Sequence, residues 1–227
     1  METLKVIGTG SSGNSYLLTV NGEQLLLDLG VREMDIKKAL DFDIRNLKGA
    51  VVSHEHSDHR RSEENIKRMG IPILAPYHGG IAAKNARFGG FTVQSFPVPH
   101  DVLNFGFFIK NGDFRMVYLT DMEFCKYSFQ KQNLNCILIE CNHIDEHLDA
   151  SEQKYEHVVR GHASLTVVKE FLKANWTVRL RDVILCHASA LEDIDRMIRE
   201  VQEVVGDGVH VSMAEKGRIY TLKDGEK

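Results

Sequence analysis

The chain has 227 residues, of which 43% are hydrophobic and 26% are charged, a mixture typical of a folded globular protein and not of a disordered one. Its formal net charge of −4 at pH 7 excludes a strongly basic nucleic-acid coat protein. No charged and apolar leader precedes the first strand-like run, and no apolar stretch reaches the roughly 18 residues of a membrane helix. We therefore expect a protein without a signal peptide or a membrane span, in the cytoplasm.

The first half of the chain is dominated by short strands. Asn21-Gly22 stands between two apolar runs and is a strong hairpin signal. In chain order the predicted elements are strands over 3–7, 15–20 and 24–28, a helix over 33–40, a strand over 49–53, a helix over 62–69, and strands over 71–75, 91–98, 105–110, 114–119 and 136–140.

The last third of the chain alternates helices and strands. Ser189 and Glu192 form a capping-box pattern, and Gly206 follows the last apolar residue of the same stripe. The predicted elements are a helix over 165–175, a strand over 183–186, a helix over 190–205, and strands over 209–213 and 218–222. Because no repeat or linker divides the chain, we predict one domain over 1–227, of the α/β class, with two mixed sheets and helices outside them.

The strongest chemical signal is the hexapeptide His54-Glu55-His56-Ser57-Asp58-His59, directly after an apolar strand. If the chain leaves this strand in extended form, His54 and His56 point to the same side. Asp58 and His59 then lie where the chain turns toward the next helix. The loop can therefore offer two ligands to one metal ion and two to a neighbouring ion, and imidazole with carboxylate suits Zn, Mn or Fe.

These residues resemble the HxHxDH signature of the metallo-β-lactamase superfamily. The resemblance continues in order with His100 before a strand and with Asp121 and His187, each after a strand. It implies a four-layer αβ/βα sandwich with two divalent metal ions, zinc in the first place and manganese as an alternative. By the same resemblance, one ion is held by His54, His56 and His100, the other by Asp58, His59 and His187, and Asp121 bridges the two.

A second motif narrows the resemblance to a phosphodiesterase branch of this superfamily. Gly161-His162-Ala163-Ser164 is similar to a motif of the RNase Z enzymes and the YycJ-like exonucleases, which implies that His162 assists the leaving group as an acid or electrostatic stabiliser. The opening segment 8–15 resembles the YycJ-like group and its short phage-encoded relatives, which include the anti-Pycsar cyclic-nucleotide phosphodiesterases. The resemblance further implies a homodimer, located in the host cytoplasm if the protein is phage-encoded.

Three further residues have open roles. Asp101 and Glu140 either orient imidazoles as second-shell partners or are solvated carboxylates. His143 either contacts substrate or metal, or caps the end of a strand.

The sequence and the resemblance together predict a metal-dependent phosphodiesterase that uses a metal-bridging hydroxide, with Asp58 orienting that hydroxide and His162 assisting the leaving oxygen. The acidic composition and the short chain favour a small nucleotide substrate such as a cyclic mononucleotide. The alternatives are a YycJ-like exonuclease acting on single-stranded DNA or RNA, a glyoxalase II-like thioester hydrolase, and a non-catalytic nucleotide-binding module.

Overall fold

The structure is a computed structural model that describes residues 1–82, 84–148, 161–190 and 192–222. Two mixed sheets form its framework, one with six strands in the order β13-β1-β2-β3-β4-β5 and one with seven in the order β12-β11-β10-β9-β8-β7-β6. The strands are β1 (Glu2–Gly8), β2 (Ser15–Val20), β3 (Glu23–Leu27), β4 (Leu47–Val51), β5 (Ile73–Leu74), β6 (Asn85–Phe88), β7 (Phe91–Val98), β8 (Asn104–Asn111), β9 (Phe114–Leu119), β10 (Cys136–Glu140), β11 (Asp182–Cys186), β12 (His210–Met213) and β13 (Ile219–Leu222).

The described residues form the helices α1 (Glu33–Ala39), α2 (Ser57–Arg60), α3 (Glu63–Arg68), α4 (Leu165–Asn175) and α5 (Ile194–Val205). All of these except the short α2 pack against the outer faces of the two sheets. None of the helices in the described ranges is long and apolar enough to cross a membrane.

Three apolar clusters hold the layers together. The middle cluster joins the two sheets, with Leu18 of β2 facing a group that includes Phe107 of β8 and Leu138 of β10. A second cluster packs the seven-stranded sheet against α4 and α5, and a third packs the six-stranded sheet against α1 and α3. Burying one such Leu or Phe side chain contributes about 1.5–3 kcal/mol, so the four layers are stabilised mainly by these three clusters.

Strand pairing follows from the local sequence. Asn21 and Gly22 both have positive φ, 53° and 77°, which closes the β2–β3 hairpin with Val20 opposite Glu23. The strands β9 to β12 are parallel and consist largely of buried apolar residues, because layers cover both faces of their sheet. The predicted α/β architecture with two mixed sheets is confirmed.

Two predictions of local structure are wrong. The last helix begins at Ile194, and its N-cap is Asp193, whose side chain accepts from the Arg196 N–H, so Ser189 and Glu192 form no capping box. An apolar stripe does not fix the first residue of a helix, since the stripe does not show where the first hydrogen bond forms. The Gly-rich stretch after residue 75 also contains a strand, β6, which was not predicted. Leu191, part of the predicted stripe, lies outside the described residues, as do residues 149–160.

Candidate metal centre

The candidate site lies where the ends of strands from both sheets meet. His54 follows β4, and Asp28 follows β3 in the same sheet, whereas Asp121 and His187 follow β9 and β11 of the other sheet. Asp28, Asp121 and His187 have positive φ values of 57°, 48° and 52°, a conformation that residues other than glycine adopt rarely. Such backbone outliers concentrate at functional sites, where the surrounding structure holds them in place.

The first group of ligand atoms consists of three imidazole nitrogens and one carboxylate. His56 Nδ1 lies 3.1 Å from His54 Nε2 and 3.4 Å from His100 Nε2. Zinc–nitrogen bonds of 2.0–2.1 Å in a tetrahedral site place neighbouring ligand nitrogens about 3.3 Å apart. The spacing of these nitrogens therefore fits one zinc-sized ion, with Asp121 completing a group whose ligand atoms lie within 4.8 Å of one another.

The second group contains two imidazoles and two carboxylates, from Asp58, His59, Asp121 and His187. His59 Nε2 lies 3.5 Å from Asp58 Oδ2 and 3.4 Å from Asp121 Oδ2. The same Asp121 oxygen lies 3.8 Å from His54 Nε2, so it faces both groups. This is the placement that the resemblance predicts for a bridging carboxylate, and all seven predicted ligands come together.

The buried Asp28 carboxylate fixes which nitrogen of two histidines faces the site. Asp28 Oδ2 lies 2.7 Å from His59 Nδ1, so Nδ1 donates to it and Nε2 is left for a cation. The Ser53 hydroxyl donates to the same oxygen at 3.0 Å and accepts from His54 Nδ1 at 2.9 Å, which leaves His54 Nε2 facing the site. Outer carboxylates of this kind orient metal-binding imidazoles, and the donor set here fits two divalent ions.

The charges of the site also favour bound cations. Burial lowers the pKa of His59, but the Asp121 and Asp28 carboxylates raise it to well above its ordinary value. Burial lowers the pKa of His54 well below its usual range, and the neighbouring His59 lowers it further. Burial raises the pKa of Asp121, but His59 and His187 lower it more, so its carboxyl group stays ionised. The buried carboxylates thus need positive partners, and His54 is held neutral as a metal ligand must be.

His162 is held beside these groups by Glu140. The ring nitrogen Nδ1 of His162 lies 2.6 Å from Glu140 Oε1, and the other oxygen of this fully buried carboxylate accepts from the Met122 and Ala163 N–H groups. Burial lowers the pKa of His162, but Glu140 raises it, and the result is a pKa of about 9. In the metal-free protein His162 is therefore protonated at neutral pH, and it lies next to His100 and His187, with ring centroids 5.9 and 5.3 Å apart.

The structure also places the residues whose roles were open. Glu140 is a buried partner of an imidazole and not a solvated carboxylate. The Asp101 side chain is 39% exposed at the mouth of the site, and its Oδ1 lies 3.0 Å from His100 Nε2, the nitrogen that faces the first group. His143 is buried and belongs to none of the groups of metal-ligating atoms among the described residues. His78, the histidine nearest to His100 on its N-terminal side in the sequence, lies 2.9 Å from Glu63 and belongs to none of these groups.

Sequence reasoning missed Asp28, Ser53 and Asn14 as parts of the site. Asn14 Nδ2 lies 3.0 Å from His59 Nε2. The one available signal was position, because Asp28 ends an apolar strand as Asp121 and His187 do. Ser53 adjoins His54 in the sequence but carries no such signal, and only the packing of separate segments brings Asn14 to His59.

The architecture and the arrangement of ligands can be compared with known proteins. A family model described as the metallo-beta-lactamase superfamily matches residues 8–113. A metallo-β-lactamase fold protein, YhfI from Bacillus subtilis, superposes with a TM-score of 0.73 over 96% of this chain and 98% of that one, at 18% identity. The chain has the metallo-β-lactamase fold.

Two curated relatives extend the likeness over most of the sequence. The exodeoxyribonuclease WalJ of Streptococcus pneumoniae is 27% identical over 85% of this chain and 83% of its own length. The exodeoxyribonuclease YycJ of Bacillus anthracis is 23% identical over 90% of each chain. This similarity in sequence confirms the predicted likeness to YycJ-like exonucleases and the prediction of a hydrolase. A special closeness to phage anti-Pycsar enzymes stays a prediction.

Proposed function

We propose that the protein is a dinuclear metal-dependent phosphodiesterase. The observation that carries this proposal is the two ligand groups that share Asp121, with His162 beside them on Glu140; Asp121, Glu140, His162 and His187 form a third group of possible ligand atoms. A thioester hydrolase or a non-catalytic binding module does not require the hydrogen bond that orients His162 on the buried Glu140.

Two divalent ions fit this site, one on His54, His56 and His100 and the other on Asp58, His59 and His187, with Asp121 between them. When bound, they would supply Lewis acidity toward a phosphoryl oxygen and a water of lowered pKa. Zinc fits the spacing of the first three nitrogens, and manganese accepts the same ligands.

The remaining chemistry belongs to two side chains. Asp58 is 25% exposed at the mouth of the site, and its carboxylate accepts the proton of the attacking water. His162 is 15% exposed and donates its proton to the departing sugar oxygen, while Glu140 stabilises the imidazolium before transfer.

For the substrate we favour the end of a DNA strand, because both curated relatives are named exodeoxyribonucleases and match almost the whole chain. A cyclic mononucleotide is the second candidate. The net charge of −4 favours it, since a long polyanion is bound most strongly by basic surfaces.

By resemblance we also propose that the protein is a single-domain, cytoplasmic homodimer. Analytical ultracentrifugation of the purified protein would test its oligomeric state.

A turnover panel tests the function. Zinc- and manganese-loaded protein would be offered 5′-phosphorylated single-stranded DNA and RNA and the cyclic forms of AMP, GMP, CMP and UMP, with Asp121→Ala as the blank. Cleavage of strands alone would support the exonuclease, and cleavage of cyclic nucleotides alone would support a signal-degrading phosphodiesterase. Failure on every phosphodiester would refute the proposal.

The role of His162 gives a separate prediction. His162→Ala should keep both metal ions but lose about 10²–10⁴-fold in turnover, the usual scale of general acid–base catalysis. Metal content by mass spectrometry and turnover of the same samples measure the two effects. His210→Ala is the matched control, because His210 lies half-exposed on β12, and it should change neither. Loss of metal in His162→Ala would mean that His162 is a ligand and not an acid.

A further inference from the structure

The loop between β1 and β2 reaches the second group of ligands through Asn14. The Asn14 backbone N–H donates to the Asp58 carbonyl at 2.7 Å, and its carbonyl accepts from the Gly30 N–H at 2.9 Å. The Asn14 side chain is fully buried and lies 3.0 Å from His59 Nε2. At the other end of the loop, the Thr9 hydroxyl accepts from the His187 N–H at 3.1 Å. The loop therefore contacts both histidines of the second group.

The orientation of the Asn14 amide is fixed by Gly10. Its Oδ1 accepts from the Gly10 N–H at 2.9 Å, and its Nδ2 donates to the Gly10 carbonyl at 3.1 Å. Reversing the amide would break both bonds, so the nitrogen must face His59. One hydrogen of the amide is used by Gly10, and the other points at His59 Nε2.

His59 Nε2 is the atom that the second metal ion would take, because Asp28 holds the opposite nitrogen. Once a cation occupies Nε2, that nitrogen has no lone pair to accept a hydrogen bond. The second Asn14 N–H then has no acceptor on His59, yet the bonds to Gly10, Asp58 and Gly30 keep the amide in place. A buried donor without a partner is costly, so an acceptor that enters the site is bound there.

We propose that Asn14 is a substrate-binding residue whose amide donates to a phosphoryl oxygen, on the side of the site formed by Asp58, His59 and His187, when His59 Nε2 holds a metal ion. The inference rests on the proposed function, because it assumes a phosphate ester as substrate. It assigns a function to the loop between β1 and β2, which contains none of the predicted ligands.

The test uses inorganic phosphate as the probe and bis(p-nitrophenyl) phosphate as a generic phosphodiester. Asn14→Ala should still bind two zinc ions but bind phosphate about 10-fold more weakly, the effect of losing one hydrogen bond to a charged group. The KM for the phosphodiester should rise by a similar factor, with a smaller change in kcat. Asn175→Ala is the matched control, since the buried Asn175 side chain also clamps two backbone groups, of Phe129 and Phe171, but lies on the outer helix α4.

A second measurement needs no variant. In zinc-loaded wild-type protein, the Asn14 side-chain amide resonance should shift on addition of phosphate, whereas that of Asn175 should not. Unchanged phosphate binding in Asn14→Ala, loss of zinc from that variant, an unmoved resonance or a wild-type protein that binds no phosphate would each overturn the proposal. If phosphate binding depends on Asn14 but no phosphodiester is cleaved, the proposed function fails and the Asn14 contact stands.

Discussion

Asp28 connects the two ligand groups although it belongs to neither. Its carboxylate accepts from the His59 ring, the Ser53 hydroxyl and backbone N–H, and the Tyr118 hydroxyl, and it is fully buried. The carboxylate can be buried at this depth because both of its oxygens accept hydrogen bonds, Oδ1 from one donor and Oδ2 from three. The orientation of His59, and through Ser53 that of His54, therefore depends on one side chain.

Asp28→Asn should weaken zinc binding by about 10–100-fold, the usual cost of removing an outer-shell partner. Asparagine tolerates the positive φ of this position, so the backbone is preserved. Competition with a chromophoric chelator measures the affinity. Asp182→Asn changes a buried carboxylate at the opposite end of β11 and serves as the control. Equal zinc affinity in the Asp28 variant and the wild type would show that the histidines need no such support.

His162 gives a prediction about pH in the metal-free protein. Its pKa of about 9 lies above the ordinary 6.5, so protonation stabilises the fold. That contribution is complete below about pH 6.5 and is lost as the pH rises through about 9. Glu140→Gln should lower this pKa, and histidine NMR titration would measure it. Glu192→Gln, which removes the carboxylate 2.8 Å from His147, should leave the His162 titration unchanged.

At the scale of elements, the site depends on the close approach of two turns. Gly30 lies in the turn that follows β3, and a Cβ added to it would stand 1.6 Å from the Asp58 carbonyl oxygen and 2.8 Å from the Asn14 nitrogen. Both obstacles are backbone atoms, so no side-chain rotation can relieve the clash. The short helix α2 can present Asp58 and His59 to the site only because residue 30 has no side chain.

Gly30→Ala should therefore lower the free energy of unfolding by more than about 4 kcal/mol, the range of severe packing defects, or prevent folding. Urea unfolding followed by circular dichroism measures it. Gly208→Ala is the control, because nothing lies within 4 Å of its added Cβ. A Gly30 variant as stable as this control would mean that the two turns separate at little cost.

At the scale of the whole molecule, the candidate ligand groups join the two sheets. His54 and His59 follow a strand of one sheet, and Asp121 and His187 follow strands of the other, so the ligand groups exist only when the sheets are packed together. Ligands that bind only the native state stabilise it, by about 2.7 kcal/mol at a free concentration of 100 times Kd.

Chelation should accordingly lower the melting temperature of the wild-type protein, and added zinc should restore it. Differential scanning calorimetry with and without a chelator measures the shift. Asp121→Ala, which lacks the shared ligand, should respond much less. If the chelator leaves the wild-type melting temperature unchanged, the protein holds no metal ions that connect the sheets.

The sequence alone predicted the features that depend on residues close together along the chain, namely a hairpin, a helix and a cluster of ligands. The β2–β3 hairpin follows from Asn21-Gly22, and helix α4 follows from an apolar stripe that Ser164 caps. The hexapeptide from His54 to His59 offers four ligands from adjacent positions. The other ligands, His100, Asp121 and His187, were predicted from the resemblance to the metallo-β-lactamase superfamily, by their order along the chain and their positions beside strands.

Only the tertiary structure decided which groups support these ligands. Asp28 and His59 are 31 positions apart in the sequence, Glu140 and His162 are 22 apart, and Asn14 and His59 are 45 apart. No periodicity links such pairs, because their contact depends on how the sheets pack and on the close approach that Gly30 allows. The ligands could thus be predicted from the sequence. The tautomers of His54 and His59, the charge of His162 and the position of Asn14 depend on the folded protein.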